Sequence, residues 1–182
     1  MPRAFVTAAV AFAATNVDDL FVLMLLFGQA INGADRWKII AGQYVGVAFL
    51  TAVSLMGALG LGRIPAGYLR LLGLIPLALG VRAWKGRNGG EETKTGALSV
   101  MAVAALTVAN GGDNIGVYLP LFIGMNRGET AVTVVTFALL CGLWCLLGSR
   151  LASLPGLRQL LQRHKGWLVP VVFILLGVSV LL

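Results

Sequence analysis

Charge is scarce in this sequence. Only 12% of its 182 residues are Asp, Glu, Lys or Arg, about half the ~25% of a soluble domain. So little polar surface cannot cover a soluble core of this size, which argues against a soluble globular enzyme. Two cysteines exclude a disulfide scaffold. A single histidine and no Cys-x-x-Cys pair leave no visible redox or cofactor motif, so neither an enzyme nor a resident cofactor is expected. There is no Gly-x-x-x-x-Gly-Lys-Ser/Thr loop, so nucleotide hydrolysis is not expected to drive any work. Seven acids against fourteen bases give a net charge of +7. The bases are scattered singly and in pairs between apolar runs, so nucleic acid is not an expected partner.

What is present is apolar length. The hydrophobic fraction is 58%, against roughly 45–50% in ordinary domains. A transmembrane helix needs about 20 mostly apolar residues, and six stretches qualify: 4–31, 39–61, 64–84, 97–125, 130–148 and 166–182. None alternates with the period of two of an outer-membrane strand. The expected class is an all-α polytopic membrane protein, with the lipid bilayer as its surroundings. The third stretch holds Pro76 and crosses only if Arg70 and Arg82 snorkel to the interfaces; a half-inserted segment is the alternative. Arg3 and Ala11-Phe12-Ala13 resemble a signal peptide, but the apolar run resumes after Asp19, so the segment is expected to be a true span.

Six spans put both termini on one side. That side carries four bases, Arg3, Arg63, Arg70 and Arg127, and the other side carries ten, from Arg36 to Lys165. The positive-inside rule places the ten in the cytoplasm and both termini outside. Residues 85–96 form a hydrophilic linker around Asn88-Gly89-Gly90. Leu154, Leu157, Leu160 and Leu161, at helical spacing among bases, suggest a short interfacial helix, with a solvated loop as the alternative.

The chain aligns with itself at a shift of 95. Ala14 meets Ala109, Asp18 meets Asp113, Val22 meets Val117, Phe27 meets Phe122 and Gly33 meets Gly128. Two three-span units follow, about 1–84 and 97–182, forming one transporter domain over 1–182. An odd number of spans per unit makes the second enter the membrane inverted.

Three of the seven acids lie inside spans: Asp18 and Asp19 in Thr15-Asn16-Val17-Asp18-Asp19, and Asp113 in Asn110-Gly111-Gly112-Asp113-Asn114. Taking span one as a continuous helix at ~1.5 Å per residue puts Asp18 close to the bilayer midplane. A carboxylate at that depth costs at least ~2.5–3.5 kcal/mol. No Lys, Arg or His lies at matching depth, so a bound cation, protons or both must supply the positive charge. Asn16 and Asp19 share a helix face, as do Asn110, Asp113 and Asn114. Asp18 points about 100° away from Asp19, so it joins them only if the helix is distorted or the cavity is wide. Gly111-Gly112 allow an unwound turn whose carbonyls add oxygen ligands. Such oxygen sets suit hard and borderline divalent cations. The bland alternative is that these groups only join helices by hydrogen bonds.

Other features carry less. Cys141 and Cys145 share a face of span five and are read as buried packing residues, with soft-metal binding the alternative. His164 is read as a surface residue. Gly42-x-x-x-Gly46 is read as a close-packing stripe within the bundle, with a homodimer seam the alternative. Pro120 is expected to kink span four, and Tyr118 to line the cavity.

The stretches AFAATNVDDLFVLMLLF, VANGGDNIGVYLPLF and GLIPLALG closely resemble the cadmium-resistance transporter family, of the lysine-exporter superfamily of small inverted-repeat membrane proteins. The resemblance implies a bacterial inner-membrane exporter of toxic divalent cations, chiefly cadmium, with zinc or manganese as relatives in chemistry. It implies a transport site at Asp18, Asp19, Asp113 and Asn114, with Asn16 and Asn110. Export of a basic amino acid or another organic cation is the alternative; few aromatics lie near the motifs to line such a site.

Overall fold

A computed structural model describes residues 2–60 and 98–157, with scattered helical positions at 74–84 and 159–178. Every described element is a helix. In order they are α1 (Pro2–Thr15), α2 (Val17–Gln29), α3 (Gly33–Ala58), α4 (Val100–Asn110), α5 (Gly112–Phe122) and α6 (Arg127–Ser153). Most of the third and sixth spans read from the sequence, Pro76 included, lies outside the described residues, as do the 85–96 linker and His164.

Three of these helices start where the sequence supplies a cap. The Asn32 side chain accepts from the Asp35 N–H, and Ser99 accepts from Ala102. Asn126 and Glu129 form a reciprocal capping box at the head of α6. The starts of α2 and α5 are different. Asn16 precedes α2 and Gly111 precedes α5, and neither caps with a side chain.

These two positions are breaks inside apolar spans. α1 and α2 meet at 60°, and the corresponding pair in the second half bends by 77°. The straight first span expected from the sequence is therefore corrected. Asn16 sits at the break: its side-chain amide shares the Phe12 carbonyl with its own backbone N–H, and its carbonyl accepts from the Trp144 indole. The bend in the second half falls at Gly111, not at Pro120, which α5 accommodates within its length. One turn earlier, Gly116 presents no side chain to the proline ring.

Asn16 and Gly111 are 95 residues apart, and so are the backbone acceptors that hold them. Asn16 N–H donates to Phe12 O at 3.0 Å and Gly111 N–H to Thr107 O at 2.8 Å. The starts of α2 and α5 and the ends of α3 and α6 obey the same offset. Each long helix packs on the broken pair of the other half: α3 on α4 and α5, α6 on α1 and α2.

α3 and α6, with 26 and 27 residues, are long and apolar enough to cross a bilayer, and each broken pair passes the same test when joined. Phe5, Val10, Phe21, Val45, Phe49 and Leu139 stand exposed on the outer faces, as side chains in contact with lipid do.

The α3–α4 contact is closest at Gly42 and Gly46. A Cβ on Gly42 would lie 2.5 Å from Val103 Cβ, and one on Gly46 would lie 2.5 Å from Thr107 Cβ. The Gly-x-x-x-Gly stripe is thus spent inside the bundle.

Candidate metal site

The two breaks meet in the centre of the described bundle, and the polar side chains of the motifs gather there. Asn16, wholly buried, is the hub. Its Nδ2 donates to Phe12 O and to the Tyr118 hydroxyl, both at 2.8 Å. Its Oδ1 accepts from Asn114 Nδ2 at 3.2 Å. Its backbone carbonyl, at the break, accepts from the Trp144 indole at 2.6 Å. α1, α5 and α6 are thereby tied to one residue.

Asp19 stands one turn along α2 and is 3% exposed. Its Oδ1 accepts from Asn110 Nδ2 at 2.7 Å, and its Oδ2 accepts from Gln43 Nε2 at 2.8 Å. Its place in the first turn of α2 favours the anion, because the helix N-terminus carries positive partial charge. Gln43 in turn accepts at Oε1 from the Thr107 hydroxyl at 2.7 Å. A chain runs from α4 through α3 to the carboxylate on α2.

Asn114 is 1% exposed, and its Oδ1 has no hydrogen-bond partner among the described residues. A buried carbonyl without a donor costs about 1–3 kcal/mol, and such an oxygen is an available ligand for a cation.

Of the six residues singled out in the sequence, four come together: Asn16, Asp19, Asn110 and Asn114. They do so as two coupled pairs, Asn16 with Asn114 and Asp19 with Asn110. Asp18 lies on the exposed face of α2, where its Oδ1 accepts from the Asp19 N–H at 3.0 Å. Asp113 belongs to the first turn of α5, and its side chain lies outside the description. Among the described residues no three His, Cys, Asp or Glu side chains form a metal-holding group. The oxygen donors in view are one carboxylate and several neutral amide and hydroxyl groups.

Two members of the cluster were not anticipated: Gln43 and Thr107. A lone Gln or Thr in an apolar span is common and signals little by itself. The available clue was that Gln43 sits beside Gly42 in the Gly-x-x-x-Gly stripe, where the neighbouring helix comes closest.

Tyr118 joins the cluster as expected and is fully buried. The expectation of few aromatics near the motifs is corrected. Phe12, Tyr118, Phe137 and Trp144 surround Asn16, with Phe12 and Trp144 centroids 5.5 Å apart and Tyr118 and Phe137 4.4 Å apart. Phe12 and Tyr118 lie within the motif stretches, and α6 adds Phe137 and Trp144, which the local motifs do not reveal. Cys141 and Cys145 are free and buried, each in an apolar cluster.

A family model described as cadmium resistance transporter matches residues 12–182. No curated protein and no solved structure matches the chain.

Proposed function

The chain belongs to the cadmium resistance transporter family, and on that premise we propose that it exports divalent heavy-metal cations across the bacterial inner membrane. Cadmium is the leading cargo, with zinc or manganese as further candidates. The reading extends to six helices in two inverted repeats, as in the lysine-exporter superfamily, with both termini outside. The metal is cargo, and neither a cofactor nor an enzymatic step is needed. Exchange for protons would drive export, since carboxylates bind a metal or a proton in turn.

The observation that carries this is Asp19: a buried carboxylate placed where two broken helices meet, surrounded by amide groups. Broken helices bring backbone carbonyl ends and helix N-termini to one point, which is how many secondary transporters build ion sites. The offset of 95 residues between the breaks supports the repeat. Asp18 and Asp113 enter the site on the strength of the repeat and the resemblance. The aromatic ring cluster gives the organic-cation reading some support, but its rings pack on one another, as core residues do.

The test is cadmium efflux from loaded cells or vesicles carrying the parent or Asp19→Asn at equal membrane abundance. Loss of efflux in Asp19→Asn is expected. Parent-like efflux would overturn the site, and absence of efflux in the parent would overturn the cargo.

A further inference from the structure

In the arrangement described, both oxygens of Asp19 accept from amide N–H groups, Asn110 Nδ2 at 2.7 Å and Gln43 Nε2 at 2.8 Å. N–H groups mimic a cation's positive charge but repel a real one. A cation reaching Asp19 must therefore displace an amide or reverse it. Gln43 is built to be reversed.

The reason is Thr107. With the Gln43 N–H turned to Asp19, the Gln43 carbonyl accepts from the Thr107 hydroxyl at 2.7 Å. The same hydroxyl lies 3.1 Å from the Val103 carbonyl. A hydroxyl has one proton and two lone pairs, and its proton rotates to suit. Turn the Gln43 amide by half a turn, and Nε2 donates to Thr107 Oγ1 while the Thr107 proton swings to Val103 O. The Gln43 N–H and the Thr107 hydroxyl keep partners, while Asp19 Oδ2 and the Gln43 carbonyl give up their N–H and O–H donors and take the cation in their place. The Gln43 carbonyl then occupies the position beside Asp19 Oδ2, 2.8 Å away. Two oxygens at that separation, each about 2.3 Å from a cation, subtend roughly 75°, an ordinary angle between ligands of a six- or seven-coordinate ion.

We propose that Gln43 is a further ligand of the transported cation, turning its amide oxygen to the metal beside Asp19 while Thr107 reverses the hydrogen-bond direction behind it. This rests on the reading of Asp19 as a metal ligand and adds a third helix, α3, to the site. It also gives the Gly42 and Gly46 stripe a purpose, since only that close approach lets Gln43 reach Thr107.

The experiment uses the full-length purified protein in detergent with cadmium chloride as the probe. Cadmium affinity is measured by calorimetry, and the Gln43 side-chain amide is followed by nitrogen-15 NMR, its signal identified by its loss in Gln43→Leu. Saturating cadmium should move the Gln43 amide signal in the parent. Gln43→Leu should weaken cadmium binding about 10–100-fold, as losing a partner of a metal-bound group does. Gln43→Glu, which still brings an oxygen, should recover binding that Gln43→Leu loses. Thr107→Val should weaken binding, and Thr107→Ser should restore it. An unmoved Gln43 signal at saturating cadmium, or parent-like affinity in a folded Gln43→Leu, overturns the proposal. Asp19→Asn is the separate control: loss of binding there with an unmoved Gln43 signal in the parent sinks this proposal alone. Parent-like binding in Asp19→Asn removes the site itself and the proposal with it.

Discussion

Asn114 donates its side-chain amide to Asn16 Oδ1 at 3.2 Å, joining two helix breaks that lie in opposite halves of the chain. The Asn114 amide is spent between the halves, and the Asn16 amide is divided between the Phe12 carbonyl of its own half and the Tyr118 hydroxyl of the other. Asn16 is saturated by this bond and its donations to Phe12 and Tyr118. The Asn114 carbonyl is left buried without a donor among the described residues. Rigid on one side and unsatisfied on the other, the pair is suited to holding the halves in register while presenting oxygen to a cation.

Removing the tie from the aromatic side should loosen the breaks. Tyr118→Phe deletes the oxygen that receives both Asn16 Nδ2 at 2.8 Å and Thr15 Oγ1 at 3.2 Å. The expected loss is about 1 kcal/mol, or roughly 2–4 °C in the melting temperature of a chain this size. Cadmium efflux should fall with it. Tyr44→Phe is the contrast, because the Tyr44 hydroxyl donates to the exposed Ala138 carbonyl at 3.0 Å and, among the described residues, bonds to no member of the cluster. Thermal melts in detergent and efflux from the same preparations decide it; equal behaviour of the two variants would contradict the hub role of Asn16.

The glycines should divide sharply. Gly46→Ala places a methyl group 2.5 Å from Thr107 Cβ and 2.7 Å from Thr107 Cγ2, so α3 and α4 must separate. Overpacking of this kind costs about 1–3 kcal/mol and should pull Thr107 away from Gln43. Gly112→Ala and Gly116→Ala meet nothing within 4 Å among the described residues and should leave the stability within about 0.5 kcal/mol of the parent. Cadmium protection of cells and detergent melts, read side by side, test the contrast.

The sequence disclosed the offset of 95 because buried acids are so costly in a membrane that a matched pair of them stands out from apolar noise. Asp19 was legible for the same reason, and Asn16, Asn110 and Asn114 because each lies within one helical turn of an acid; the four do converge. The helix break at Asn16 was harder to read. Asn is ordinary inside a polar motif, and the bonds that mark its position run to Tyr118 and Trp144 on other helices. Gly111-Gly112 announced the second break through backbone freedom alone. Gln43 and Thr107 were invisible because neutral polar residues cost little, so their meaning lies in which helix passes near them. Of the aromatic ring cluster, Phe12 and Tyr118 stood in the motifs, but Phe137 and Trp144 join it only because α6 packs beside them, which no local pattern encodes.

Cadmium binding should weaken as the medium becomes more acidic. A carboxylate must give up its proton to hold a metal, so metal and proton compete and binding releases protons. Lowering pH therefore shifts the competition against the metal. Calorimetry in two buffers of different ionisation enthalpy should give different apparent enthalpies near neutral pH, with the difference reporting protons released per metal bound. Identical enthalpies would exclude proton exchange at the site.

The last test concerns the inequality of the two halves. Asp18 corresponds to Asp113 at the shift of 95, but Asp19 corresponds to Asn114. Asn114→Asp would replace the amide donor with a second oxygen facing Asn16 Oδ1, where 3.2 Å now separates donor from acceptor. Asn16 cannot readily reverse, because its Nδ2 is committed to Phe12 O and Tyr118. Without metal, Asn114→Asp should melt below the parent. With cadmium the new carboxylate gains the partner it lacks. Ligand that binds only the folded state adds stability in proportion to the logarithm of its occupancy ratio, so tenfold tighter binding adds about 1.4 kcal/mol. The cadmium-induced rise in melting temperature should thus exceed that of the parent, while efflux slows, since transport needs binding weak enough to release. Combining it with Asp19→Asn keeps the total charge and exchanges the halves. If positions 19 and 114 face one cation from two sides, this double variant should recover part of the efflux that Asp19→Asn loses. A double variant no better than Asp19→Asn, together with a cadmium shift in Asn114→Asp equal to the parent's, would mean that Asn114 presents its oxygen to something other than the metal.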